Sequence, residues 1–219
     1  MSLGLQTFLF VLAGWIFSLC LHEYSHARLA YEGGDTSVKE KGYLSFNPLK
    51  YIDPMFSIVM PIFFLVIGGI GLPGGAVWID RSRIRDPRWM SLVSAGGPLS
   101  NLLLAFVLAL PFRFVPDAQG GLWPALAFLC LLQIMAVVLN LIPVPPLDGY
   151  GIIRPFLPSE LQTRIDGAAQ WGFYIVFGAL WFIPQANIFF FGIVQLIGAL
   201  MGLPPGLASD GYRLFRFWD

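Results

Sequence analysis

Six long apolar runs follow one another along the chain, at residues 3–27, 55–72, 89–112, 122–143, 167–183 and 187–203. Each approaches the ~20 apolar residues that an α-helix needs to cross the hydrocarbon core of a bilayer. The connections between the runs are polar or rich in glycine and proline, as in YEGGDTSVKEKGYLSFNPLKYIDP and PVPPLDG. The pattern predicts an all-α polytopic membrane protein.

The composition agrees with a location in the membrane. The 219 residues are 57% hydrophobic and only 12% charged, against about 25% charged residues in an average soluble domain. The length predicts a single integral-membrane domain, with a core at 1–153, a C-terminal helical pair at 164–203 and an interfacial tail at 206–219. Thirteen basic residues balance thirteen acidic ones, so the lipid bilayer is an expected partner and nucleic acid is not.

The first apolar run ends in HEYSH, which contains the two histidines of the chain, His22 and His26, and places Glu23 beside them. Residues four apart share one face of a helix, so both imidazoles can bind one metal ion. In the HExxH arrangement two histidines bind zinc and the glutamate is the general base. Ionisable groups at membrane depth cost on the order of 2.5–3.5 kcal/mol each, which favours function over a chance match. We therefore predict one Zn²⁺ per chain here, with Glu23 as the catalytic residue.

A catalytic zinc needs a third protein ligand. Both histidines are used, and Cys20 and Cys130 lie inside apolar runs as packed thiols, so a carboxylate is expected. Asp148 is the strongest candidate because it follows a long uncharged run. Its surroundings, Pro-Leu-Asp-Gly, are also good turn chemistry, so a plain turn aspartate stays an alternative at this point.

Three motifs together resemble the site-2 protease family of intramembrane zinc metalloproteases: HEYSH in an apolar helix, GGPLSN at 96–101 and NLIPVPPLDG at 140–149. The likeness runs in order from about residue 14 to 153. The stretch LSFNPLKYIDP at 44–54 is similar to a loop of the compact bacterial members, which lack a PDZ domain. Tyr51 departs from the family pattern, because relatives often carry histidine there.

The resemblance implies a function and a ligand set. It implies that Asp148 is the third zinc ligand and that the chain is a peptide-bond hydrolase. The expected partner is a transmembrane-protein substrate, cleaved within or near its membrane segment in regulated intramembrane proteolysis. The bacterial cell membrane is the implied location.

The resemblance also points to residues that would position the substrate. Asn101 and Asn140 would line the site, although ordinary helix packing around GGPLSN and an interhelical hydrogen bond from Asn140 explain them as well. LPGGAVWID is similar to a membrane-embedded extended segment of the family that pairs with an unwound substrate. Gly74 and Gly75 would let this backbone approach the substrate closely, or would only turn the chain.

The two parts of the metal site constrain the topology. His22 lies near the C-terminal end of the first run and Asp148 lies just beyond the run 122–143, so these two helices must be parallel. Parallel helices need an odd number of crossings between them, but two apolar runs intervene. We therefore expect residues of about 54–80 to enter and leave the membrane on one side, as a re-entrant or extended segment. About five spanning helices remain.

The basic residues agree with this topology. It places twelve of the 13 Lys and Arg residues on the side of the metal site and leaves only Arg113 on the other, whereas an ordinary span at 55–72 would give eight against five. By the positive-inside rule, the active site lies toward the cytosol, with the N-terminus outside and the C-terminus inside.

Two other functions remain open from the sequence. A metal transporter needs polar groups through the whole membrane thickness, but the last four apolar runs contain no Asp, Glu, Lys, Arg or His. A catalytically silent scaffold would be expected to lose Glu23 or a ligand, and all four residues are present.

Overall fold

A computed structural model describes residues 1–51, 77–115 and 118–218 of the chain. Within these residues there are helices and no strands, which confirms the predicted all-α class. Short 3-10 turns lie at Arg81–Arg83 and Arg154–Phe156. The helices are α1 (Leu3–Gly33), α2 (Ser37–Glu40), α3 (Pro48–Tyr51), α4 (Trp89–Phe114), α5 (Trp123–Asn140), α6 (Asp148–Ile153), α7 (Ser159–Gly167), α8 (Ala169–Phe182), α9 (Pro184–Met201) and α10 (Leu207–Phe215).

Four helices of the described residues are long and apolar enough to cross a membrane, namely α1, α4, α5 and α9. This confirms a polytopic membrane protein. The one remaining predicted span, at 167–183, corresponds to α8, which has only 14 residues. At 1.5 Å per residue α8 is about 21 Å long, short of the ~30 Å hydrocarbon core.

Helix α5 lies at the centre of the bundle. Of its spanning window 78% is buried inside the protein, against 39% for α1 and α4 and 17% for α9. Small residues allow α4 and α5 to approach each other, since Ala105, Ala109, Ala125 and Ala136 all lie in the main apolar core. Such packing is typical of membrane helices, which bury small side chains at their interfaces.

Helices α1 and α5 run in the same direction, and α4 runs opposite to both. The start of α4 lies beside His26, because the Val93 carbonyl accepts a hydrogen bond from that ring. The end of α4 lies beside the start of α5, where the rings of Phe112 and Trp123 are 5.6 Å apart. We call the end of the bundle that holds His22, His26 and Asp148 the site end, and the other end the far end.

Both chain termini lie at the far end. The rings of Phe8, near the start of α1, and Phe215, at the end of α10, are 5.1 Å apart. At the same end, the Arg113 guanidinium donates to the Leu200 carbonyl at 3.4 Å. The prediction of an N-terminus outside and a C-terminus inside is therefore wrong, because the two termini share one end. The physical reason is that α8 and α9 together make one net crossing, whereas hydropathy alone suggested two.

The predicted re-entrant or extended segment of about 54–80 lies outside the described residues except for 77–80, and Gly74 and Gly75 lie outside them as well. Its described flanks both lie at the site end. Lys50 lies beside Gly42, and the Lys41 ammonium donates to the Trp78 carbonyl at 3.1 Å. A segment that enters and leaves the membrane on one side needs both of its flanks at the same end of the bundle, as they are here. The path of the segment itself stays a prediction. The division into a core, a C-terminal pair and a tail also stays a prediction.

Candidate metal centre

Two imidazoles and one carboxylate converge at the site end. His22 and His26 project from one face of α1, and their Nε2 atoms are 3.0 Å apart. Asp148, the first residue of α6, places Oδ2 3.2 Å from His22 Nε2 and Oδ1 3.3 Å from His26 Nε2. Both histidines are buried and Asp148 is largely so. The structure thus brings together the three residues that the sequence predicted as ligands.

The other nitrogen of each ring faces an oxygen atom. His26 Nδ1 lies 2.6 Å from the Val93 carbonyl oxygen, which can only accept a hydrogen bond. His22 Nδ1 lies 3.3 Å from Asn101 Oδ1. Each neutral ring therefore carries its proton on Nδ1 and directs the lone pair of Nε2 at Asp148. When both rings are neutral, two lone pairs and a carboxylate face one another, an arrangement that a cation stabilises.

The spacing of these atoms fits zinc. Tetrahedral zinc sites have metal–ligand distances of about 2.0–2.2 Å, which places the ligand atoms ~3.3 Å from one another. The two Nε2 atoms are 3.0 Å apart, and each lies 3.2–3.3 Å from a different carboxylate oxygen of Asp148, so three ligand atoms lie close enough to share one ion. Two imidazole nitrogens and one carboxylate make three protein ligands, which is the number that leaves a catalytic zinc one open position.

Two glycines let the backbone come close to this centre. A Cβ on Gly97 of α4 would overlap both His22 Nε2 and His26 Nε2, so α4 can pass here only as glycine. A Cβ on Gly149 would overlap the Leu141 carbonyl oxygen, so Asp148 depends on a glycine after it. Glycine is therefore required sterically in GGPLSN and in LDG, beyond the general need for small residues between packed helices.

Glu23 lies beside the three converging residues and is not one of them. Its side chain is 5% exposed, and Oε2 accepts a hydrogen bond from the Val77 peptide N–H at 3.0 Å. Together with His22 it lines a pocket whose other walls are Trp15, Ser18, Leu19, Asn101, Ala136 and Asn140. The carboxylate therefore borders both the metal centre and a space next to it.

The two predicted asparagines have different contacts. Asn101 is buried against His22 and orients that ring. Asn140 is also buried, but its Nδ2 donates to the Ala136 carbonyl of its own helix at 3.0 Å. Both line the pocket, so substrate contact stays a prediction for each. Tyr51 ends α3.

Sequence reasoning missed the backbone groups of the site. The Val93 carbonyl and the Val77 N–H have no signature in the sequence, because every residue carries such groups. Ser18 and Trp15 could have been found, since they precede His22 by four and seven residues and so share its helix face.

Comparison with curated proteins gives relatives over nearly the whole chain. It is 45% identical over 213 residues to Rip2 of Mycolicibacterium smegmatis, covering 97% of this chain and 82% of the relative. It is 43% identical over 214 residues to Rip2 of Mycobacterium tuberculosis, with the same two coverages. It is 33% identical over 181 residues to YwhC of Bacillus subtilis, covering 78% of this chain and 80% of that protein. All three are named as candidate zinc metalloproteases. No protein-family model matches the chain, and no solved structure matches it.

Proposed function

The chain belongs to the site-2 protease family of zinc metalloproteases, and from that premise we propose that it hydrolyses peptide bonds within or near transmembrane segments of other membrane proteins. It is an integral-membrane zinc metalloprotease, with Zn²⁺ as cofactor. Membership of a protease family counts against the two alternative functions, a metal transporter and a catalytically silent scaffold. The observation that carries the proposal is the convergence of His22, His26 and Asp148 near the end of a membrane-spanning helix.

His22, His26 and Asp148 would hold the Zn²⁺. When bound, Zn²⁺ polarises the scissile carbonyl and lowers the pKa of the attacking water toward ~7. Asn101 and the Val93 carbonyl keep the two rings in the tautomer that binds a metal.

Glu23 is the proposed general base. The Val77 N–H donates to Oε2 and Glu23 lines the pocket, where the carboxylate would accept a hydrogen bond from the attacking water. Glu23 would take one proton from that water as its oxygen attacks the peptide carbonyl. It would then pass the proton to the leaving amine, so that the carboxylate is regenerated at the end of the cycle.

The substrate must be locally unwound at the cleavage site. The peptide groups of an intact helix are hydrogen-bonded along the chain and shielded by side chains, so a helix cannot present its carbonyl carbon to the centre. Helix-breaking residues near the cleavage site would therefore speed hydrolysis. Asn140, which lines the pocket, would contact an extended substrate, and the segment that contains Gly74 and Gly75 would pair with its backbone.

The active site is proposed to face the cytosol of a bacterial cell. With both termini at the far end, ten of the thirteen basic residues lie at the site end and three at the far end, namely Arg113, Arg213 and Arg216. The positive-inside rule then places the site end inside and both termini outside. Cleavage on this side would release a cytosolic factor from its membrane anchor, as regulated intramembrane proteolysis requires.

Reconstituted vesicles provide the test. The purified protein would be combined with a single transmembrane segment that carries Asn-Pro near its centre and a tag at each end, and the products would be mapped by mass spectrometry. A matched segment with Ala-Leu at the same positions is the control. We expect cleavage inside or beside the apolar segment, with the control cut more slowly. Cleavage of unfolded soluble peptides alone, and never of a transmembrane segment, would refute the proposal.

A further inference from the structure

Asp35 is a fully buried carboxylate in the loop that follows α1. Its Oδ1 accepts hydrogen bonds from the Ser37 N–H at 3.0 Å and the Ser37 hydroxyl at 2.6 Å. Its Oδ2 accepts a hydrogen bond from the peptide N–H of Asp80 at 2.7 Å, across 45 residues of sequence. A buried carboxylate is stable only when its oxygens are satisfied. Here one oxygen is used for the local turn and the other for a distant segment.

The distant segment is residues 77–80, which we call the 77–80 segment. Three polar contacts hold it at the site end: Asp80 N–H to Asp35, Lys41 Nζ to the Trp78 carbonyl, and Val77 N–H to Glu23 Oε2. The side chains of Val77 and Ile79 pack against the apolar cluster between α1 and α4. Asp80 and Val77 are three residues apart, so an extended chain joins them over only ~10 Å.

We propose that Asp35 is a positioning residue for Glu23. By fixing the Asp80 N–H, it sets the place of the Val77 N–H, which in turn holds the Glu23 carboxylate toward the pocket. This rests on the proposed role of Glu23 as general base. A base must lie within about 2.6–3.2 Å of the atom whose proton it takes. A misplacement of about 1 Å can cost about 100-fold in rate.

The competing explanation is that Asp35 only shapes its own loop. That role needs the two bonds to Ser37, whereas the positioning role needs the bond to Asp80 N–H. The two roles use different oxygens, so substitutions can separate them.

Two pairs of variants make this separation. Asp35→Asn leaves one acceptor oxygen where two are needed, so the new amide N–H would face the N–H of Ser37 or Asp80. Ser37→Ala is its control, because it removes only the local hydroxyl bond. Asp80→Pro removes the N–H itself, and its φ of −85° is close to the value that proline imposes. Asp80→Ala is its control, because it keeps the N–H and loses only the side-chain contacts with Ser82 and Arg83.

Three quantities would be measured on detergent-purified full-length protein. They are zinc per chain, kcat and KM on the Asn-Pro transmembrane segment, and hydrogen–deuterium exchange of the 77–80 segment. For Asp35→Asn and Asp80→Pro we expect full zinc, a KM near wild type, a kcat lower by about 10–100-fold and faster exchange at Val77. Ser37→Ala and Asp80→Ala should stay within about twofold of wild type in kcat, because both keep the hydrogen bond from Asp80 N–H to Asp35.

Several results would overturn the proposal. Unchanged kcat and exchange in Asp35→Asn would refute it, and so would a parallel loss of zinc and kcat, which indicates a general structural role. Equal effects of Asp80→Pro and Asp80→Ala would show that the N–H is unimportant. If Asp35→Asn does not fold, the Asp80 pair decides. If wild-type protein binds zinc but cleaves no transmembrane segment, the proposed function fails, while exchange at Val77 still decides whether Asp35 holds the segment.

Discussion

Asn101 and His22 are in contact across 79 residues of sequence, with Asn101 Oδ1 accepting a hydrogen bond from His22 Nδ1 at 3.3 Å. In the neutral ring this contact places the proton on Nδ1 and leaves the lone pair of Nε2 directed at Asp148. The loss of such a partner behind a metal-binding histidine typically weakens metal affinity by 10–100-fold. We expect Asn101→Ala to weaken zinc binding by about that factor, measured by competition with a zinc chelator of known affinity.

Asn140→Ala is the matched control for this variant. Asn140 lines the same pocket, but its amide donates to the Ala136 carbonyl of its own helix, whereas the amide of Asn101 faces His22. Its zinc affinity should equal that of wild type. Asn101→Asp restores an acceptor oxygen and should recover affinity. Equal losses in Asn101→Ala and Asn140→Ala would show that the pocket as a whole, and not the contact with His22, governs zinc binding.

Gly97→Ala should remove zinc from the protein. The added Cβ would overlap both Nε2 atoms, so α4 or the two rings must move away from Asp148. Gly178→Ala in α8 is the control, because its Cβ would meet no atom within 4 Å, and alanine favours a helix by about 1 kcal/mol over glycine. Atomic emission should give about one zinc per chain for the control and far less for Gly97→Ala. Full zinc in Gly97→Ala would mean that the close approach of α4 is not needed.

Both termini should be labelled from one side of the membrane. Ser2 and Ser209 are exposed at the far end, and Ser82 is exposed at the site end. With Cys20 and Cys130 changed to alanine, one new cysteine at each serine position can be tested in intact cells with a membrane-impermeant maleimide. We expect labelling at positions 2 and 209 and none at 82. Labelling of position 82 together with only one of the other two would contradict the shared end.

Asp166 should stabilise the helix that carries Asp148. It accepts hydrogen bonds from Tyr150 at 2.7 Å and from Arg154 at 2.6 Å, on either side of the end of α6. The pair with Arg154 is partly exposed, so solvent screening reduces its worth to on the order of 0.5 kcal/mol. Asp166→Asn should lower the apparent Tm in detergent by about 1–3 °C. Glu160→Gln, which breaks a pair with Arg164 whose side chains are 78% and 75% exposed, should leave it unchanged.

The effect of Asp166 should depend on pH. Hydrogen bonds from Arg154 hold the pKa of the Asp166 carboxyl below its ordinary value in the folded protein. A group with a lowered folded pKa stabilises the fold above its unfolded pKa of about 3.9 and ceases to do so as the pH falls through the folded value. The Tm difference between wild type and Asp166→Asn should therefore be present at neutral pH and disappear in acid. A difference that grows in acid would contradict this.

The sequence predicted which three residues converge at the site end, because the ligand chemistry and the direction of the helices constrain the same residues. The HExxH spacing placed His22 and His26 on one helix face, and the requirement that Asp148 meet them made α1 and α5 parallel. The position of the C-terminus could not be predicted in this way. Hydropathy counted α8 as a span, although its 14 residues are too short, and a miscount of one crossing moves the tail to the other end.

Contacts made by the backbone could not be predicted either. Every residue has a backbone carbonyl, and every residue except proline has a backbone N–H. Only the fold therefore shows that the Val93 carbonyl faces His26 and that the Val77 N–H faces Glu23. The role of Asp35 cannot be predicted from the sequence for a related reason. An aspartate in a polar loop is ordinary, and its complete burial depends on residues that lie 45 positions away.

The most direct test of the central claim compares wild type with Glu23→Gln in zinc content and in cleavage of the Asn-Pro transmembrane segment. Glutamine can still accept the hydrogen bond from Val77 but cannot take a proton from water, so the variant should keep about one zinc per chain and lose at least 100-fold in kcat. Removal of zinc from wild type with a chelator should abolish cleavage, and added Zn²⁺ should restore it. Cleavage by Glu23→Gln at the wild-type rate, or wild-type cleavage that persists without zinc, would contradict the proposed mechanism.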